Sequence, residues 1–130
     1  MKPLLLAVCI LMATALTAVA QTEPTEQTFT VQTTSALAEL CARTSPPDAM
    51  TTAAQNFCHG YMLGAYQILA QVNAARRKPE FCIPNPSPTR NQAIADFVSW
   101  ARANPSESGL PPADGVYEFL MRHYPCPARQ

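Results

Sequence analysis

The chain has 130 residues, with nine Lys or Arg against nine Asp or Glu, two His and five Cys. Balanced charge gives no field to steer nucleic acid or an anionic membrane toward it, and the length fits one small domain. Thirteen prolines, mostly in clusters, mark firm interruptions between elements.

Residues 1–20 read as a signal peptide, with Lys2 as the positive start, an uncharged apolar stretch from Leu4 to Leu16, and Ala18-Val19-Ala20 before the cut. A retained membrane anchor is disfavoured because the apolar core is shorter than the roughly 20 residues that span a bilayer. Leu6-Ala7-Val8-Cys9 superficially looks like a lipidation box, but Val8 is branched where a small residue is wanted, and almost no apolar run precedes Cys9. Cleavage before Gln21 would leave 110 residues and, with Lys2 gone, eight basic and nine acidic groups. It also removes Cys9, so four cysteines remain in an exported, oxidising setting where disulfides persist.

Residues 21–33 are polar, rich in Thr and Gln, and read as a flexible lead-in. A short helix follows over 35–41, capped by Thr34 or Ser35, with Leu37, Leu40 and Cys41 on one face. Ser45-Pro46-Pro47 ends it. The longest helix spans about 50–75, where Cys58, Tyr61, Ala65, Leu69 and Val72 recur at three- and four-residue steps and form the expected core stripe. Gly60 and Gly64 inside it each cost about 1 kcal/mol relative to Ala, which the close approach of another helix, or alternatively a ligand contact, would offset. Arg76-Arg77-Lys78-Pro79 closes the helix with cations at its negative end.

Phe81 to Pro88 is a proline-pinned connection containing Cys82 and Pro84. Thr89-Arg90-Asn91-Gln92 matches a capping box and opens a third helix with Ile94, Phe97, Val98 and Ala101 on one face, stopping before Asn104-Pro105. A turn-rich loop then leads through Leu110-Pro111-Pro112-Ala113 into a last helix presenting Val116, Phe119, Leu120 and His123 together, ended by Pro125. No alternating strand pattern appears. The fold class is all-α, a compact four-helix domain over 34–127 with a short tail at 128–130.

Cys41, Cys58, Cys82 and Cys126 each lie beside bulky apolar neighbours that would bury them and read as two staples. Four cysteines permit three connectivities, and sequence alone leaves all three open. Helices joined by a short Pro-rich turn are normally antiparallel, which favours Cys41–Cys58 and, with it, Cys82–Cys126. His59 and His123 lack any Cys-x-x-Cys or His-x-x-x-His partner spacing, so no metal or cofactor is expected, and both read as partly buried structural residues. With every mature thiol paired, no nucleophile-elbow serine and no glycine-rich phosphate loop, the sequence reads as a binding protein and not as an enzyme.

The run Cys58-His59-Gly60-Tyr61-Met62-Leu63-Gly64, then Phe81-Cys82-Ile83-Pro84, Thr89-x-x-Gln92, Asn104-Pro105 and Tyr124-Pro125-Cys126, resembles the Rap/Tai family of type VI secretion immunity proteins. The similarity covers 35–126, and the order and spacing of these motifs are more specific than any one of them. It implies a periplasmic, all-helical, disulfide-stapled protein that neutralises a secreted toxin, typically a peptidoglycan amidase, by occluding its active-site cleft. It also implies a possible homodimer. Neither nucleic-acid binding nor stable membrane insertion after signal cleavage is expected.

The matched residues are scaffold, so the partner surface must be sought elsewhere. The loop from Asn104 to Asp114 joins two helices and carries Glu107, Leu110 and Asp114, which makes it the candidate contact. The competing reading is a housekeeping helical protein, such as a stress or chaperone-like module, with no toxin partner.

Overall fold

The computed structural model describes residues 25–128, so the signal segment 1–20 lies outside the described residues. Four helices follow in order: α1 Thr34–Ala42, α2 Ala49–Ala74, α3 Arg90–Ala103 and α4 Pro112–His123. Short 3-10 turns occupy Glu26–Phe29 and Pro105–Glu107. No strand occurs among the described residues; Phe81 and Pro125 form one isolated antiparallel bridge. The fold is all-α and carries two disulfides, Cys41–Cys58 and Cys82–Cys126.

The first 3-10 turn falls within the segment read as a lead-in. Its Phe29 ring packs 5.4 Å from Phe57 on α2, and Phe57 lies 5.9 Å from Tyr61. A lone aromatic in a polar stretch gives no periodic signal, so the sequence placed no element there.

The cap of α1 is Thr33, whose hydroxyl accepts from the Ala36 amide at 3.2 Å, and not Thr34 or Ser35. Thr34 has a different task. Fully buried, it donates to the Leu110 carbonyl through both its amide, at 2.8 Å, and its hydroxyl, at 3.1 Å. These bonds join the start of α1 to the entry of α4. Gly115 completes the junction, because a Cβ built there would sit 2.0 Å from the Thr34 Oγ1.

Leu37, Ala38 and Cys41 of α1 enter one core with Cys58 and Met62 of α2, Ile94, Phe97, Val98, Trp100 and Ala101 of α3, and Val116, Phe119 and Leu120 of α4. Phe81 and Tyr124 close the cluster from the connecting segments. The Phe119 ring meets Phe97 edge-on at 5.6 Å and Tyr124 edge-on at 5.7 Å, favourable aromatic geometries. The α3 face read from the sequence is buried throughout, and Trp100 joins it.

The face of α2 differs from the expected stripe. Cys58 is buried, Tyr61, Ala65 and Leu69 are half-buried, and Val72 is exposed. The buried apolar row is instead Met50, Ala54, Cys58 and Met62. Length explains the shift: at about 1.5 Å per residue α2 runs about 39 Å, against about 21 Å for α3, so its second half outruns the helices beneath it. That half leaves Leu63, Ile68 and Val72 exposed. Gly60 and Gly64 are exposed as well, with nothing within 4 Å of a Cβ built at either, so no helix among the described residues approaches them. The close approach lies at Gly115, which no helical repeat in the sequence marks.

Opposite outcomes follow for the two kinds of glycine. Gly115→Ala should lower stability by about 1–3 kcal/mol, the range for overpacking a filled site. Gly60→Ala or Gly64→Ala should raise it by about 0.5–1 kcal/mol, because a helix interior gains by losing glycine where space is open. Thermal unfolding of the three variants decides this.

Asp48 caps α2, its carboxylate accepting from the Thr51 amide at 2.7 Å. That bond holds its pKa below the ordinary 3.8, so the cap stabilises the fold above that pH and loses its effect as acid protonates it. The Tm advantage of wild type over Asp48→Ala should therefore be full at neutral pH and vanish well below pH 3.8. An advantage unchanged in acid would contradict the charged cap.

Candidate functional site

Beyond α2 the chain turns back along the helices through residues 75–89. Asn73 makes the turn: its side-chain amide donates to the Phe81 carbonyl at 2.8 Å, and its oxygen accepts from the Glu80 amide at 2.7 Å. Glu80 then accepts from the Tyr117 hydroxyl and pairs with Arg76 at 3.2 Å. Bonding to that carboxylate, with some burial, raises the Tyr117 pKa above its usual range. Arg76 therefore serves the turn after α2 and not the helix end itself.

Next comes a clasp. Phe81 is buried and bridges to Pro125, the Cys82 amide donates to the Tyr124 carbonyl at 2.8 Å, and the Cys82–Cys126 disulfide locks the two segments. The two disulfides differ in setting. Cys41 and Cys58 are buried, as their neighbours suggested, but Cys82 is exposed and Cys126 half-buried. Both sit outside helices, where the apolar neighbours Phe81 and Tyr124 occupy the core in their place.

The clasped segment forms one wall of a groove of about 360 Å³. Ile83, Ser87 and Pro88 supply that wall, Met62, Leu63 and Tyr66 of α2 another, and Ala93, Ile94, Val116, Phe119 and Leu120 the floor between α3 and α4. Arg90 is the one charged residue in the lining. Its position is fixed by the capping box at the start of α3, in which Thr89 Oγ1 accepts from the Gln92 amide at 3.3 Å and Gln92 Oε1 accepts from the Thr89 amide at 2.9 Å. A second concavity of about 530 Å³ lies over the buried disulfide, between Thr44, Gln55, His59, Asn91, Ser99 and Arg102.

The loop from Asn104 to Asp114 is tied down at several points. Glu107 pairs with Arg122 at 3.1 Å, and Arg122 also pairs with Glu118. The Leu110 carbonyl holds Thr34, and the Ser108 carbonyl accepts from the Ser35 amide at 3.1 Å. Asp114 is exposed and close enough to Tyr61 to raise the phenol's pKa, which burial raises first. Tyr61 and Asp114 thus share one edge of the molecule, while Glu107 faces the end of α4.

His123, read as partly buried, is packed on one side by aromatics and open on the other. At the last turn of α4 it stacks on Phe119 at 5.0 Å, meets Tyr124 edge-on at 4.7 Å and places its Nε2 3.5 Å from Asp96, with the rest of the ring exposed. His59 is half-buried at the second concavity. No three His, Cys, Asp or Glu side chains group closely enough to hold a metal ion among the described residues. Nor is any helix among them long and apolar enough to cross a membrane.

The described residues thus form a small disulfide-stapled helical domain with one apolar groove lined by α2, α3, α4 and the clasped segment. The chain belongs to the Rap1a immunity protein family, whose model matches residues 33–126. No curated protein and no solved structure matches it. The match spans the described domain from the cap of α1 to the last cysteine of the clasp. Membership carries the coarse function, an immunity protein acting against a secreted effector.

Exposure dictates the order in which the disulfides yield, since exchange needs access of a thiolate to sulfur. Under limited dithiothreitol in native buffer, Cys82 and Cys126 should be alkylated well before Cys41 and Cys58, as read by peptide mass mapping. Simultaneous labelling of all four would show that the fold opens as a unit.

Proposed function

We propose that this chain is a periplasmic immunity protein that binds a peptidoglycan amidase delivered by a secretion system and closes its active-site cleft. The observation that carries this reading is the family match across residues 33–126. Two disulfides support export to an oxidising compartment. Such a protein needs no chemistry of its own, only a rigid surface.

The segment ending at Asp114 is the proposed inserting element. Its backbone is held by Thr34 and Ser35, so little conformational entropy is lost on binding. Leu110 and Asp114 supply an apolar and an acidic contact, with Tyr61 beside Asp114 as a half-buried aromatic of the kind that dominates interfaces. A homodimer would use the outer face of α2, which carries no Asp, Glu, Lys or Arg from Ala49 to Ala74. The exposed Leu63, Ile68 and Val72 also suit a chaperone-like module with no toxin partner, and the same experiment separates the two.

Periplasmic co-expression with an exported amidase recovered by co-purification should rescue growth, and the purified pair should show the amidase inhibited at one-to-one stoichiometry. Leu110→Ala combined with Asp114→Ala should weaken the complex about tenfold, as loss of interface anchors does, while leaving Tm nearly unchanged because the Leu110 carbonyl still holds Thr34. Unchanged affinity would remove this segment from the interface. Failure of every exported amidase to be bound or inhibited would remove the amidase reading.

A further inference from the structure

The groove between α2, α3, α4 and the clasped segment has no occupant in the fold. Its lining is apolar from Met62 across Ile94 to Leu120, and nothing from the described chain fills it. Concave apolar sites of a few hundred Å³ with few polar groups are where ligands and partner anchors lodge, and about 360 Å³ accommodates one or two large apolar side chains. Arg90, at its rim, is exposed and makes no ion pair among the described residues, which it shares with Arg43, Arg77, Lys78 and Arg102; what sets it apart is its place in the groove lining. No carboxylate lines the groove. The charge complement it lacks is therefore a single anion next to an apolar group.

We propose that this groove receives a segment of the effector in which a large apolar side chain is presented beside an Asp or Glu, the apolar group seated between Leu63, Tyr66 and Ile83 above the buried Val116 and Phe119, and the carboxylate meeting Arg90. This inference rests on the immunity reading and deepens it by giving the complex a second contact, separate from the one proposed at Asp114: residues 114 and 116 lie about 200° apart around α4, so Val116 turns into the base of the groove where Asp114 turns out to solvent. Guanidinium and carboxylate geometries match, and an apolar anchor in a desolvated pocket ringed by polar contacts is the usual form of an interface hot spot. The wall at Ile83, Ser87 and Pro88 is set by the clasp, so the groove is ready before the partner arrives, which lowers the ordering cost of binding.

The test uses the oxidised mature chain, isotope-labelled for NMR, with two capped peptides, Ac-Asp-Leu-Phe-Glu-NH2 and Ac-Lys-Leu-Phe-Lys-NH2, and with decanoate. The acidic peptide should shift Leu63, Ala93, Ile94 and Arg90 and bind about tenfold more tightly than the basic one. In Arg90→Glu, an exposed substitution, that preference should reverse. Equal binding of the two peptides, shifts centred elsewhere, or decanoate binding more tightly than the acidic peptide would overturn the proposal; the last would make this a site for amphiphilic anions. Self-association upon titration, with the groove shifts appearing at high concentration alone, would assign it to a second copy and overturn it equally. The effector assay separates the two levels: rescue by wild type that persists undiminished in Arg90→Glu with Leu63→Asp refutes the groove contact and leaves the immunity reading standing. Absence of rescue with wild type, alongside normal peptide selectivity, refutes the immunity reading while the groove's preference for an apolar–acidic segment stands.

Discussion

The clasp that joins residues 81–82 to 124–126 is the constraint on which the useful surface of this protein depends. Without it, the 15 residues between α2 and α3 would be a Pro-rich connection with few amides to bond. With it, Phe81 enters the core, Cys82 pairs by backbone and by sulfur with the end of α4, and the chain between Ile83 and Pro88 is held beside α2 as a groove wall. In the chain-entropy account the 44-residue closure contributes about 4 kcal/mol and the 17-residue closure about 3, comparable to the whole net stability of a small domain. The two staples divide the work. Cys41–Cys58 fixes α1 against α2 inside the core, and Cys82–Cys126 fixes the surface outside it.

The second organising contact is the junction of Thr34, Leu110 and Gly115. The Thr34 amide and hydroxyl both donate to the Leu110 carbonyl, the hydroxyl also reaches the Pro111 carbonyl at 3.4 Å, and the missing Cβ at Gly115 lets the first turns of α1 and α4 touch. A buried hydroxyl is costly unless it is bonded, so this contact fixes where the loop from Asn104 must pass. The loop proposed to enter an effector is therefore stiff at its base.

Much of the fold was legible in the sequence because its signals are local. Ile94, Phe97, Val98 and Ala101 repeat at helical spacing, Thr89 and Gln92 spell a cap, and Pro105 and Pro125 stop helices where they stand. The errors lie where a tertiary partner decides. The stripe through Tyr61, Leu69 and Val72 has the right period, but a period cannot say that the helix outruns its neighbours. Gly60 and Gly64 have the spacing of a helix contact but no partner among the described residues, while Gly115 has the contact and no spacing. Asn73 left no trace at all, since a side chain bonded to backbone seven and eight residues on follows no repeat. The scaffold motifs around the cysteines sufficed to place the family. The groove was invisible, because its lining comes from α2, the clasped segment, α3 and α4, which only the fold brings together.

Hydrogen–deuterium exchange on the Cys82→Ser, Cys126→Ser double variant tests most directly whether the clasp is what holds this surface. The account predicts that amides in 81–89 and at the end of α4 lose protection while those of α1, the first half of α2 and α3 keep it, since the core is anchored separately by Cys41–Cys58. Uniform loss of protection across the domain, or none in 81–89, would contradict it.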